Sequence, residues 1–344
     1  MAARTNHRRV PMSGFKLKLL LPVIAASLFP IAAQAQEKTI AFMRAGPDPY
    51  YQYGMNAAEV AAKELGIKLV TYSANTDPSQ ELANVQDAIT RGVDGILIYA
   101  VSLSSEKAAI AQAKRGGVPI FFQYGYDPAL LKDAAGFMQI DVGTFGKPLG
   151  EWLGKKLPEG KIAIIAGKLG RGDAEAYTKG FKDGLAASGS KAEIVSEVPG
   201  DWNRQMALDA AAQILTAHPD LDAMFVQNED MAVGASIAIE RARKTDQVTM
   251  VAMNGAPYGL DLIRDGKLAL TNANPPSIAS VMALRLLAGV IDKTIEPGKY
   301  YEAPTQVIDK ANVEEAIRWD APAEQIKEWL KLPLPKPVEP APAG

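Results

Sequence analysis

From Lys38 onward the chain alternates short apolar runs with segments of helical length, and that alternation limits it to a few architectures. Residues 39–43, 68–72, 95–99 and 119–123 read as strands. Residues 51–65, 78–91 and 105–115 read as helices, with Gly66 and Gly116-Gly117 as stops and Asp77 as an N-cap. Continuous apolar runs separated by such helices predict parallel strands buried on both faces. The pattern restarts after Asp141, with helices over 147–155, 174–188, 205–217 and 231–241. Strands are expected at 161–166, 192–198, 224–227 and 248–253. Two βα series of similar length predict an α/β protein made of two doubly wound parallel-sheet lobes; a barrel of eight βα units is the structural rival.

The first 35 residues read as an export signal rather than as part of the fold. Arg4, Arg8, Arg9, Lys16 and Lys18 form a basic stretch, followed by an apolar run over 19–33 that Pro22 and Pro30 interrupt. Ala33-Gln34-Ala35 is a small-x-small cleavage pattern, so the mature chain is expected to start at Gln36 and to be soluble in the periplasm. No Cys follows the apolar run, which excludes a lipoprotein anchor. The remainder, roughly 300 residues, is near the upper limit for a single core and needs no disulfides to bury enough apolar surface. With 37 Lys plus Arg against 39 Asp plus Glu, and a basic leader to be removed, the mature protein is mildly acidic, which argues against nucleic acid as a partner.

Chemistry-bearing residues are few. The chain has no Cys and only two histidines, His7 in the leader and His218 before Pro219, where it is expected to close a helix. Thiol nucleophiles and the usual zinc sites are therefore excluded, and no G-x-S-x-G elbow accompanies His218. The turn Gly167-Lys168-Leu169-Gly170-Arg171-Gly172-Asp173 has neither phosphate-loop spacing and reads as a flexible βα turn. Asp48 and Glu175 could face one cleft, but no spacing marks them as a catalytic pair. Neither an enzyme activity nor a cofactor or metal is expected.

Aromatic and amide groups at strand ends carry more. Met43 to Glu59 (M-R-A-G-P-D-P-Y-Y-Q-Y-G-M-N-A-A-E) and Ala223 to Ala235 (A-M-F-V-Q-N-E-D-M-A-V-G-A) each join an apolar strand to a helix through a short turn. Such turns, at the carboxyl ends of parallel strands, are where ligands sit in open α/β sheets. Tyr50 and Tyr51 occupy the first turn, and Trp202 lies in P-G-D-W-N-R. Sugar rings present apolar C–H faces to aromatic planes, while their hydroxyls need fixed polar partners.

Three segments carry a family resemblance: E-L-A-N-V-Q-D-A-I-T-R-G-V-D-G-I-L-I (81–98), L-T-A-H-P-D-L-D-A-M-F-V-Q-N-E-D-M-A-V-G-A (215–235) and D-G-K-L-A (265–269). Through them the chain resembles the periplasmic sugar-binding proteins of ABC transporters of the ribose-binding type, over about 38–308. These share their fold with LacI-like effector domains, but here a leader stands where a repressor has its DNA-binding helices. The resemblance implies a cleft between two lobes joined by crossovers near 140–142, 274–275 and 303–306. The first lobe would comprise 38–141 plus 275–303, the second 142–274 plus 304–331, with a Pro-rich tail over 332–344 that reads as extended and disordered.

By position, the resemblance implies Asp48 as a hydroxyl acceptor, Tyr50, Tyr51 and Trp202 as stacking rings, and Arg44 and Arg204 as cations near the ligand. It places Gln123 and Tyr124 where ribose binders carry Asp-Arg, and Glu175 where many relatives carry the ring-oxygen arginine. Asn228 matches the family's amide, Asn254 replaces its usual Asp, and Asn274 stands near its hinge glutamine. Without the arginine a ring oxygen would be buried unpaired, so ribose itself is in doubt. The expected ligand is a neutral sugar or a sugar alcohol delivered to an inner-membrane ABC permease by a monomeric binding protein. Alternatives are a subunit that senses the ligand for a chemoreceptor or histidine kinase, and a binder of an amine-bearing molecule, against which Arg44 and Arg204 argue.

Overall fold

The computed structural model describes residues 1–3, 37–124, 128–170 and 172–339. The expected leader over 1–35 lies, but for its first three residues, outside the described part. Contacts divide the chain after Gln36, and the unit from Glu37 onward is organised by two six-stranded sheets.

The first sheet contains β1 (Lys38–Arg44), β2 (Ile67–Ser73), β3 (Gly95–Ile98), β4 (Ile120–Gln123), β5 (Gly136–Gln139) and β11 (Lys299–Glu302), in the order β11-β5-β4-β3-β1-β2. The second contains β6 (Lys161–Ala166), β7 (Glu193–Pro199), β8 (Ala223–Val226), β9 (Thr249–Asn254), β10 (Leu270–Ala273) and β12 (Gln306–Asp309), in the order β12-β10-β9-β8-β6-β7. All ladders are parallel except β10–β12. Each sheet thus reverses its winding beside its first strand, the position where open α/β sheets leave a crevice. The doubly wound architecture read from the sequence is the one observed, and the barrel is excluded.

Helices α1 (Pro49–Glu64), α2 (Pro78–Thr90), α3 (Leu103–Gly116) and α9 (Pro276–Ile291) belong to the first sheet. Helices α4 (Lys147–Lys156), α5 (Asp173–Ala187), α6 (Arg204–Ala217), α7 (Glu229–Arg241) and α8 (Pro257–Arg264) belong to the second. Asp77 caps α2 by accepting from Ser79 N at 2.8 Å, and His218 closes α6, its N–H donating to Ile214 O at 2.8 Å. The chain passes between the sheets in the connections β5–α4, β10–α9 and β11–β12. Among the described residues no helix is long and apolar enough to cross a membrane.

Two expectations need correction. The segment after β12 does not all stay with the second sheet: α10 (Ala323–Lys331) packs on α1 and α9, burying Ile326 and Trp329. The tail is extended but docked as far as residue 339, with Val338 N donating to Tyr300 O at 3.0 Å. The sequence pattern left β5, α8, β10, α9, β11 and β12 unmarked. These strands are four residues each, and α9 is apolar on nearly all sides, so it lacks the stripe by which a surface helix is recognised.

Helices α4 and α5 pack directly on each other beside the second sheet. Gly150 and Gly184 let the two backbones approach so closely that a methyl on Gly150 would overlap the Phe181 carbonyl, and one on Gly184 the Lys147 carbonyl. Backbone cannot yield as a flexible side chain can, so the helices would have to part. Gly150→Ala is expected to lower stability by about 1–3 kcal/mol, read as a lower urea midpoint at unchanged slope.

Candidate functional site

The strand-end turns of both sheets converge on one cavity of about 470 Å³. After β1 come Asp48, Pro49, Tyr50 and Tyr51; after β4, Tyr124. The second sheet supplies Asp173 and Tyr177 on α5, Trp202 and Arg204 after β7, Asn228, Glu229 and Asp230 after β8, and Asn254 and Tyr258 at the end of β9 and beyond. Trp319, from the segment leading to α10, completes the lining.

The first wall is set by capping. Asp48 is the N-cap of α1, accepting from Tyr50 N at 2.8 Å, and Pro49 is pre-set for the first helical position. Burial pushes the Asp48 carboxyl above its usual range, against the Tyr50 N–H that favours its charged form, and the nearby Asp230 charge adds to the rise. Tyr50 meets Tyr51, Tyr99, Tyr124 and Trp319 edge-on, with ring centroids 5.2–6.1 Å apart. Its phenol, like that of Tyr177, is held neutral chiefly by burial. The Tyr124 and Tyr177 hydroxyls, from opposite walls, lie 2.9 Å apart.

The second wall rests on unusual backbone. Trp202 has φ +58°, with Asp201 at +51° before it, and the first wall's Tyr124 (+87°) and the second's Asn254 (+97°) are also left-handed. Non-glycine residues adopt such angles only when their surroundings over-determine them, which happens most often at functional sites. Gly167 provides the seat for Trp202, because any Cβ there would overlap the indole. Arg204 opens α6 and donates to Asp230 Oδ1 from Nη2 at 2.5 Å and from Nε at 3.0 Å. Its guanidinium stands 5.9 Å from the Tyr258 ring centre, a cation–π distance. Burial raises the Tyr258 phenol, and the charges of Glu229, Asp230 and Asp48 raise it further.

Of the residues singled out from sequence, Asp48, Tyr50, Tyr51, Tyr124, Trp202, Arg204, Asn228 and Asn254 line this cavity. Four do not. Arg44 donates to Gln52 Oε1 at 2.6 Å. Gln123 is buried and accepts from Ser280 Oγ at 2.7 Å, while its Nε2 finds no partner among the described residues. Asn274 is buried beside Tyr50, with its amide directed at the Tyr50 phenol and not at the cavity. Glu175 is exposed and accepts from Gly170 N (2.6 Å) and Gly172 N (3.1 Å), which hold its carboxyl low. It braces the glycine-rich turn and does not line the cavity. Tyr177, two residues later on the same helix, faces the cavity in its place. Sequence reasoning passed over Asp173, Tyr177, Glu229, Asp230, Tyr258 and Trp319. Glu229 and Asp230 follow Asn228 directly, and acidic residues in a first helical turn were a signal available there.

A family model described as periplasmic binding protein domain matches residues 40–294. The ribose import binding protein of Salmonella typhimurium is 33% identical over 268 residues, covering 77% of this chain and 88% of that protein. The xylitol-binding protein of Mycolicibacterium smegmatis is 27% identical over 290 residues, covering 83% and 81%. Among solved structures, an ABC transporter periplasmic solute-binding protein from Actinobacillus succinogenes with bound D-allose superposes with a TM-score of 0.75 at 23% identity, covering 81% of this chain and 100% of that one. That last likeness bears on the fold.

Glu229, at the base of this wall, accepts from Gly255 N at 2.6 Å and Thr271 Oγ1 at 2.5 Å. Burial outweighs these bonds and pushes its carboxyl from 4.5 up to about 7. Between those values the folded chain keeps a proton that the unfolded chain has released. The group therefore costs stability progressively as pH rises from about 4.5 to about 7 and adds no slope above. Relative to Glu229→Gln, the wild type should lose stability across that window in urea titrations; parallel pH profiles would show that this carboxyl does not titrate there.

Proposed function

This chain belongs to the periplasmic binding protein family, and from that premise we propose that it captures a neutral sugar or sugar alcohol between its two sheets and delivers it to an ABC importer. The observation that carries this reading is the composition of the cavity: aromatic faces on both walls, interleaved with carboxylates and amides, and among the described lining residues a single cation, which Asp230 already engages. Rings take the C–H faces of a carbohydrate, and the oxygens of Asp48 and Asp173 can accept from hydroxyls. The Tyr124 and Tyr177 hydroxyls can each donate as well as accept, so they suit either a ring oxygen or a ligand hydroxyl.

The leader over 1–35, cleaved near Ala35, would export the protein to the periplasm, where it acts as a monomer. Hinge bending over the three connections closes the sheets on the ligand, and the closed outer surfaces meet the permease. The same closed form could report ligand to a chemoreceptor or histidine kinase. The proposed role is capture without turnover, in keeping with the family to which the chain belongs.

One observation favours a second ligand class. Arg44 does not line the cavity and Arg204 is engaged by Asp230, so the charge that acts on Asp48 is the like charge of Asp230. An amine-bearing sugar or polyol would bring a cation to that carboxyl.

Calorimetric titration with D-ribose, D-allose, xylitol, myo-inositol and D-glucosamine separates the two. Binding of a neutral member is expected, and tight binding of the amine alone would sink the neutral-ligand reading. Trp202→Ala and Asn228→Ala should each weaken binding at least about tenfold, or ~1.4 kcal/mol, with the fold retained. Wild-type affinity in both variants would mean that this cavity is not the ligand site.

A further inference from the structure

The family match ends at residue 294, yet the cavity is completed by a residue well beyond it. After β12, Val313 and Ala316 are buried in the core of the second sheet. Ile326 and Trp329 are buried where α10 packs on α1 and α9 of the first. Between Ala316 and Ile326 the chain therefore passes from one sheet's half to the other's a fourth time.

Trp319 stands in the middle of that passage and holds both sides. Its Nε1–H donates to Asn254 O at 2.9 Å, on the second wall. Its ring meets Tyr50 at 5.2 Å and Tyr53 at 6.0 Å, both on α1 of the first wall. Only 4% of the residue is exposed. The backbone next to it is pinned as well, since Ser277 Oγ, at the start of α9, donates to Arg318 O at 2.6 Å. Asp320, on the other side, pairs with Arg318 at 2.7 Å.

We infer that Trp319 is a positioning residue of the ligand cavity, carried by a fourth crossing that latches the two cavity walls to each other. Three connections at the back of a cleft can flex as a hinge. A fourth, clamped at the cavity itself, must release either the bond to Asn254 or the ring contacts with Tyr50 and Tyr53 before the walls separate. The same ring packs edge-on against Tyr50, so it also orients the stacking surface offered to a ligand. The cavity's role as the ligand site is taken from the function proposed above; the latch depends on no ligand.

Small-angle X-ray scattering on the ligand-free protein tests it. The wild type should show a smaller radius of gyration than Trp319→Ala, because the latch biases the two walls toward each other. Trp319→Phe, which keeps a ring but loses the donor to Asn254, should fall between them. Far-UV circular dichroism and an unchanged urea m-value establish that each variant is folded. A radius that neither substitution increases overturns the latch. Failure of every sugar in the calorimetric titration, with the scattering shift present, would overturn the ligand class and leave the latch standing.

Discussion

The buried side chain of Gln227 joins the parts of the second wall to one another. Its Oε1 accepts from Gly167 N at 2.8 Å, and its Nε2 donates to Ala174 O at 2.9 Å and Thr178 Oγ1 at 2.7 Å. One amide, with acceptor and both donors engaged, thereby ties the end of β8 to the turn after β6 and to the first turns of α5. Four of the wall's lining residues depend on that tie: Gly167 seats Trp202, α5 carries Asp173 and Tyr177, and Asn228 follows Gln227 in the chain. Replacing the amide with an apolar group would leave the buried Gly167 N–H and Thr178 Oγ1 without this partner, at about 1–3 kcal/mol for each group left unsatisfied.

The architecture was legible because parallel strands buried on both faces must be written as continuous apolar runs, and the helices between them announce their ends with residues such as Asp77 and Gly66. What resisted reading was short or uniform: the four-residue β5 and β10, and α9, whose apolar surface leaves no periodic stripe. The cavity lining was legible where a residue's place at a strand end decides, as for Asp48, Tyr50, Trp202 and Asn228. It was not where helix phase decides. Glu175 and Tyr177 differ by two residues, about 200° around α5, so one faces solvent and the other the cavity. Trp319 could not be foreseen from strand-end logic, since it follows no strand of either sheet's parallel series.

Backbone strain and burial act together at this site. Tyr124, Trp202 and Asn254 hold left-handed angles that cost on the order of 1–3 kcal/mol each, and Asp48 and Glu229 keep carboxyls where burial opposes their charge. The compensating order comes from the well-packed sheets beneath and from close helix pairs such as α4–α5. A rigid scaffold thus carries a destabilised rim, an arrangement in which the rim can move while the sheets do not.

The docked tail gives the first sheet something it would otherwise lack. Strand β11 ends that sheet, and an uncovered terminal strand is a template for pairing with another molecule. The tail reaches this strand where Val338 N donates to Tyr300 O, and Leu334 packs on the core. Pro333, Pro335 and Pro337 alternate along this segment, and none has an N–H to donate. The tail therefore shields the rim of the sheet without itself offering a regular ladder to a newcomer, a built-in safeguard against edge-to-edge aggregation.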